Sequence, residues 1–348
     1  MFDLNGIPHV LYKYRKCNEQ NFEAFYNDQI WCAYPNQMND AYDSRMTINK
    51  QRVIEWINKV TSKDVFTNML DRVKDLANNS QKYNKKEEIT KPNLEIINCF
   101  KEEKQKLIKQ IEFNCNESYE KYKEDINIIK EQLMYLLYNT KSYLQNNITL
   151  SSFSEIITSP TMWGLYSNDE EGYALSYCFD GNSILSYMFS SNLNNVPFVI
   201  KQIKYSNKKY EIKTDSITDY LKFKLLSKNN SFPVQVICLG EDLKDYNALE
   251  EIFNIICHKY IDWEYEKEWR LIHFIKPSNI FSIKANGLYL GRRISKINEK
   301  ILTDIGKEKN IPIFKMEIDD DSTEYKLKAI SQSKGELYEN SVFYPYKG

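Results

Sequence analysis

Apolar and polar positions alternate with a period of two near the start of the chain. Val10 to Arg15 puts Lys13 and Arg15 on one face and Tyr12 and Tyr14 on the other, which predicts a short strand. Asn18 suits the N-cap of a helix whose Phe22, Phe25 and Tyr26 line one side. Gln29 to Tyr34 alternates again and predicts a second strand, closed by Pro35. The polar loop from Asn36 to Asp43 follows, and its Asn39-Asp40 pair suits a turn.

From about Ile48 to Thr140 helical spacing replaces alternation. Phe66, Met69, Leu70 and Val73 fall on one helix face. Asn79 to Pro92 is polar and interrupts the pattern, and Ile97, Phe100, Leu107 and Ile111 mark a further helix. Tyr119, Tyr122, Ile126, Ile129, Leu133 and Leu136 then form a narrow seam, at alternating spacings of three and four, on an otherwise charged helix. The block predicts a helical insertion, a hairpin or small bundle. Its 94–140 helices are a candidate surface for a partner or for self-association.

Strands return at Ile148 to Phe153, where Ser152 and Ser154 share a face. A short helix after Pro160 carries Trp163 and Tyr166, Asn168 to Gly172 reads as a turn, and Tyr173 to Phe179 as a strand. Val196 to Tyr205 is strand-like, while Asp215 to Leu226 and Leu243 to Tyr260 predict helices. Asn286-Gly287, between Ile280–Ile283 and Leu288–Leu290, is the signal of a two-residue hairpin. A helix from about Ser295 to Lys309 and a strand from Ile311 to Ile318 follow. The expected fold class is α+β: a mixed β-sheet core with flanking helices over 1–48 and 141–348, and an all-helical insertion over 49–140.

The stretch from Lys259 to His273 concentrates the chemistry. As a continuous strand it places Trp263, Tyr265, Lys267, Trp269 and Leu271 on one face, and Glu264, Glu266, Glu268 and Arg270 on the other; with no Pro or Gly intervening, continuation of the preceding helix is the other reading. Carboxylates at i and i+2 on one face lie about 7 Å apart. Each raises the other's pKa and Arg270 lowers both, which makes a candidate acid–base or cation-stabilising cluster. A solvated charged face opposite an aromatic core face is the plainer alternative.

Composition narrows the function classes. Lys and Arg number 47 against 48 Asp and Glu, so bulk charge offers no broad nucleic-acid or anionic-membrane footprint. No run of eighteen apolar residues predicts a membrane span, and the first residues do not predict a signal peptide. The 7 cysteines show no Cys-x-x-Cys spacing and the 3 histidines make no metal-type pair. A reducing cytoplasm without a metal centre is therefore expected. Absence of a Gly-rich phosphate loop, a Walker motif and a Gly-x-Ser-x-Gly elbow disfavours P-loop NTPases and α/β-hydrolases.

An ordered set of landmarks resembles a bacterial family, the domain of unknown function numbered 2971. They are Leu11-Tyr-Lys-Tyr-Arg15, Met38-Asn-Asp-Ala-Tyr-Asp43, Ser152-Phe-Ser154, Trp163 with Tyr166 and Gly172, Trp263-Glu-Tyr-Glu-Lys-Glu-Trp-Arg270, and Leu290-Gly-Arg-Arg293. In the loop the family's Phe-Asn-Asp-Pro-Phe-Glu becomes Met-Asn-Asp-Ala-Tyr-Asp. The resemblance covers about 1–48 and 145–318. At the level of motif order that family is similar to the ADP-ribosyltransferase superfamily, with a basic first strand, a Ser-bearing middle strand and a late Glu-x-Glu.

That second resemblance implies a split-sheet fold and an NAD-consuming enzyme, an ADP-ribosyltransferase or NAD glycohydrolase acting as a toxin or phage-defence effector. NAD would be a substrate, with no metal. Cleavage of the nicotinamide–ribose bond develops an oxocarbenium-like cation, as in glycoside hydrolysis. It implies Glu268 as the stabilising carboxylate and Glu266 as the group that handles the acceptor. Lys13 and Arg15 would hold the pyrophosphate, with Ser152, Ser154 and Arg270 bracing the site and Tyr14, Trp163 or Tyr166 stacking on nicotinamide. The acceptor would be an unspecified protein or nucleic acid. Two alternatives stand beside it: a non-catalytic interaction protein with a degenerate core, and a metal-dependent nuclease using Asp40, Glu266 and Glu268.

Overall fold

The computed structural model describes residues 8–78, 119–146, 148–179, 198–229, 231–239, 248–273 and 279–332. In chain order its elements begin with β1 (Val10–Arg15), α1 (Glu19–Tyr26), β2 (Gln29–Trp31), β3 (Met46–Ile48), α2 (Lys50–Val60), α3 (Lys63–Asn78) and α4 (Tyr119–Asn146). They continue with β4 (Thr149–Ser154), α5 (Pro160–Tyr166), β5 (Tyr173–Cys178), β6 (Phe198–Gln202), β7 (Lys204–Ser206) and β8 (Tyr210–Ile212). Then come α6 (Thr214–Lys228), α7 (Phe232–Leu239), α8 (Ala248–Ile256), β9 (His258–Tyr260) and β10 (Glu268–His273). The last are β11 (Ile280–Ser282), β12 (Gly287–Leu290), α9 (Lys296–Glu308), β13 (Ile313–Ile318) and β14 (Leu327–Ser331). The fold class is mixed α+β, as the patterning predicts. The elements divide into two compact units, one within 45–144 and 209–256, the other within 4–44, 145–208 and 257–348.

The second unit is built on an eight-stranded sheet in the order β14-β13-β12-β5-β1-β4-β10-β6. Neighbours are antiparallel except β12 and β13, a parallel pair joined in sequence through α9. Register assigns the faces. Glu268 lies opposite Ser154, Ser154 opposite Tyr12, and Tyr12 opposite Ser176, so these share one face with Tyr14, Ser152 and Arg270. Leu11, Lys13, Arg15, Phe153, Leu175, Trp269 and Leu271 lie on the other. This second face makes the main core of the unit, against Phe25, Ile30, Phe281 and Leu302. The first face carries a smaller cluster of Trp163, Ala174, Met316 and Leu327.

Local signals were sound at several ends. Asn18 caps α1 by accepting from the Asn21 N–H, and Ser295 caps α9 by accepting from the Asn298 N–H. The Asn286-Gly287 hairpin does not form. β11 pairs with β2, whereas β12 pairs with β5 and β13. Asn286 instead accepts from the Cys178 N–H through its Oδ1, and a Cβ at Gly287 would sit 2.8 Å from Ser176 Oγ. The glycine answers a close cross-strand approach, not a turn.

In the helical unit the seam of α4, a helix of 28 residues, faces inward. Tyr122, Ile126, Ile129, Leu133 and Leu136 join Val53, Ile57, Phe66 and Leu70 in one core. That core also takes Ile217, Leu221 and Leu225 of α6 and Val234, Val236 and Ile237 of α7. A parallel β3–β8 pair, Met46 opposite Tyr210, ties 209–256 to the start of the block. From the sequence, 209–256 belongs with the sheet. The difference comes from packing between distant segments: the apolar faces of α6 and α7 meet α2, α3 and α4, which local periodicity does not reveal. The expected helix at Ile97 to Ile111, the break at Asn79 to Pro92 and the 94–118 part of the candidate partner surface lie outside the described residues.

Candidate functional site

Lys259 to His273 is not one continuous strand. β9 ends at Tyr260, Ile261 to Glu266 winds into a 3₁₀ turn, and Lys267 adopts φ 45°, ψ 54° before β10 begins at Glu268. The expected alternation therefore holds only from Glu268 onward, and Trp263, Tyr265 and Lys267 do not share a strand face with Trp269. The turn changes the electrostatics. In an extended strand Glu266 and Glu268 would sit about 7 Å apart. Here both accept from the same ammonium, Lys259 Nζ, at 2.6 Å to Glu266 Oε2 and 3.1 Å to Glu268 Oε2.

Arg270 is the inner anchor and is 0% exposed. It grips Asp43 in a fork, 2.7 Å from Nη1 to Oδ1 and 2.5 Å from Nη2 to Oδ2, and donates from Nε to Glu268 Oε1 at 2.8 Å. Its Nη1 also donates to Ser44 Oγ at 3.2 Å, and Ser44 donates to Asp43 Oδ1 at 2.7 Å. The loop residue Asp43 is thus fixed by a strand residue far along the chain. The other end of the network opens outward: Tyr166 donates to Glu266 Oε1, and Asn39 Nδ2 donates to Tyr166 Oη at 3.1 Å. Ser154 Oγ donates to the Glu266 carbonyl at 2.6 Å, and Tyr205 Oη accepts from the Glu268 N–H at 2.8 Å.

Three carboxylates, Asp43, Glu266 and Glu268, meet two cations, Lys259 and Arg270. With all five ionised the buried network carries one negative charge in excess. The pKa values part accordingly. Burial alone would raise Glu268, but Arg270 and Lys259 outweigh it and hold the carboxyl at about 2. Burial raises Glu266, with Glu268 adding to the rise, and Lys259 opposes it only in part. The two carboxyls are displaced in opposite directions, Glu268 toward the anion and Glu266 toward the protonated acid, a separation that paired carboxylates doing acid–base work also show. Burial also raises the Tyr166 hydroxyl, reinforced by Glu266. Half-buried aromatic rings stand beside Glu266: Tyr166, Tyr265, and Trp263, whose ring lies 4.7 Å from Lys259 Nζ.

The other candidates lie elsewhere or are already engaged. Lys13 and Arg15 project from the face opposite Glu268 and Arg270. Lys13 donates to Ser151 Oγ at 2.7 Å and to the Ser152 carbonyl at 3.0 Å, and burial, followed by Arg15, lowers its pKa to about 7. Arg15 donates from Nη1 to Asn21 Oδ1 at 3.0 Å. Tyr14 and Trp163 pack edge to face at 5.2 Å, and their polar atoms donate to the carbonyls of Ile156 and Ile157. Trp163 is wholly buried. Ser152 does lie on the cluster's face, opposite Arg270 in register. Asp40 closes its own turn, accepting from the Tyr42 N–H. Among the described residues no three His, Cys, Asp or Glu side chains are grouped to hold a metal ion. Around Glu266 and Glu268 the cationic places are taken by Lys259 and Arg270.

Lys259, Asp43 and Tyr205 complete the network, and the sequence pattern alone marks none of them as a site residue. Asp43 closes the Met38-Asn-Asp-Ala-Tyr-Asp43 landmark, and its occurrence in one chain with the Glu-x-Glu-Trp-Arg signature is the available signal.

Residues 162–271 match the family model described as Protein of unknown function (DUF2971). No curated protein and no solved structure matches the chain. The matched span runs from Met162, within α5, through Arg270 and Leu271, and so contains every member of the network except Asp43, Ser44, Asn39 and Ser154.

Proposed function

We propose that this chain is an NAD-consuming enzyme that breaks the nicotinamide–ribose bond, as an ADP-ribosyltransferase or NAD glycohydrolase. The observation that carries the reading is the opposite displacement of Glu266 and Glu268 across one shared lysine. Glu268 is the anion that never lets go of its cations. Glu266 is the working carboxylate: ionised, it gives the network its excess negative charge beside a developing oxocarbenium ion, and it takes a proton from the acceptor hydroxyl or water. Tyr166 orients it, and Tyr265 and Trp263 offer aromatic surface to a planar ring. Lys13 and Arg15, on the far face, have no part in this site, and Tyr14 and Trp163 serve as its packed support.

The test is nicotinamide release from NAD by wild type and Glu266→Gln, with circular dichroism to establish that both are folded. Removal of the charge at constant volume is expected to slow release at least ~100-fold, about 3 kcal/mol in the barrier, with NAD affinity little changed. A folded Glu266→Gln protein with wild-type turnover overturns the assignment of this residue. No release by wild type favours a second reading, a non-catalytic interaction protein. Its supporting observation is that both oxygens of Glu268 are already engaged by Lys259 and Arg270.

A further inference from the structure

The helical unit carries a surface that the network above does not use. On α4, Tyr135 and Tyr138 are 62% and 60% exposed, whereas Tyr122 of the same helix is buried. They are three residues apart, about 4.5 Å along the axis, and so present neighbouring rings. Lys50, the first residue of α2, places Nζ 4.6 Å from the Tyr138 ring centre. Lys141 follows Tyr138 by one turn on the same helix. Arg45 and Lys209 immediately precede the first rung of the β3–β8 pair, Met46 opposite Tyr210, and are brought side by side by that parallel register. All four cations are exposed. Lys141 lies within electrostatic reach of the others: burial lowers its pKa, and Lys50, Lys209 and Arg45 lower it further.

Four mutually repelling cations around exposed tyrosines sit on a chain whose net charge is only −1. A local excess of positive charge attracts a polyanion. We propose that this surface binds single-stranded nucleic acid, with Tyr135 and Tyr138 stacking on bases and Arg45, Lys50, Lys141 and Lys209 against phosphates. Charge by itself would suit an acidic peptide equally. The paired exposed rings favour a ligand with a planar face at each unit, and base–aromatic stacking tolerates any sequence. The site is independent of the chemistry proposed for Glu266 and is tested by binding alone.

The experiment is fluorescence anisotropy of a labelled oligo-thymidylate of about twenty nucleotides with the full chain, between roughly 50 and 200 mM salt. Binding should weaken with salt, with a slope near −3 for about four phosphate contacts at ~0.7 each. Lys50→Glu with Lys141→Glu should weaken binding at least ~10-fold and flatten the slope by about 1.4. Tyr138→Ala should weaken it at least ~5-fold while keeping the slope. Lys300→Glu with Lys307→Glu, two exposed positions on α9 in the sheet unit, matches the charge change and should have no comparable effect. Absence of binding overturns the proposal, as does equal loss in the α9 variant. Binding of poly-glutamate as tight as that of the oligonucleotide overturns it in favour of an acidic protein partner. Circular dichroism of each variant separates lost binding from lost fold.

Discussion

Arg270 shows what a buried charge requires. A guanidinium with no exposed surface costs several kcal/mol to desolvate and is tolerated only where carboxylates fill its donors. Asp43 and Glu268 do so, and Lys259 then compensates the negative charge they bring. This dependence fixes the sign of the pH response. The folded-state pKa of Glu268 lies below its ordinary 4.5, at about 2. Its contribution, about 3 kcal/mol at ~1.4 kcal/mol per unit, is fully present above pH 4.5 and lost as pH falls through about 2. Glu266 is shifted the other way. Its contribution is complete below pH 4.5 and lost as pH rises through its elevated folded value. The urea midpoint should therefore rise from pH 2 to 4.5 and lose part of that gain above it. Glu268→Gln should abolish the acid limb, and Glu266→Gln the decline above it. An acid limb of unchanged slope in Glu268→Gln would show that Glu268 is not the group responsible.

At the scale of elements, the 3₁₀ turn and the left-handed Lys267 matter more than any strand propensity, because they fold Glu266 back to the lysine that Glu268 also uses. A second device is the contact between the 168–172 turn and the start of the loop after β12. Gly291 N–H donates to the Gly172 carbonyl at 2.9 Å and Arg293 N–H to the Glu170 carbonyl at 3.0 Å. A Cβ on Gly291 would lie 2.2 Å from the Glu170 oxygen, while one on Gly164 within α5 would meet nothing within 4 Å. Gly291→Ala should cost about 1–3 kcal/mol or more by forcing backbone apart. Gly164→Ala should gain up to about 1 kcal/mol from helix propensity. Thermal midpoints of the two variants decide this, and a Gly291→Ala midpoint at or above wild type would contradict the close approach.

These cases mark what was legible in the sequence. β1, β5, α9 and β13 were readable because their faces alternate or repeat regularly and their caps are local. The shared face of Glu268 and Arg270 was readable for the same reason. The turn before Glu268 was not, since Trp263-Glu-Tyr-Glu alternates as well as a strand does, and the contacts that hold the tighter backbone, Lys259 to both carboxylates and Ser154 Oγ to the Glu266 carbonyl, come from elsewhere in the chain. Nor could the opposite orientation of Lys13 be seen, because it depends on the register of β1 against β4 and β10, a long-range property.

At the scale of the molecule, the two cores have separate memberships, and this governs which part of the chain is removable. Deleting 49–140 alone would remove α2, α3 and most of α4 while leaving α6 and α7. Ile217, Leu221, Leu225, Val234, Val236 and Ile237, all buried against those helices, would then face water. Fully exposing side chains of this kind costs roughly 1.5–3 kcal/mol each, and a patch of that size invites aggregation. The cut that follows the cores removes 45–144 and 209–256 together. At the second join the ends are already close, His258 Nε2 lying 2.7 Å from the Lys208 carbonyl; at the first, Asn36 Nδ2, eight residues before the cut, lies 3.3 Å from Asn146 Oδ1. Short Gly/Ser linkers would span both joins. The double deletion should be soluble and strand-rich and should keep the Glu266–Lys259–Glu268 network, all of which lies in the sheet unit. The single deletion should precipitate or bind a hydrophobic dye. Gel filtration and circular dichroism compare them, and a soluble, folded single deletion beside a precipitating double one would show that 209–256 belongs with the sheet after all.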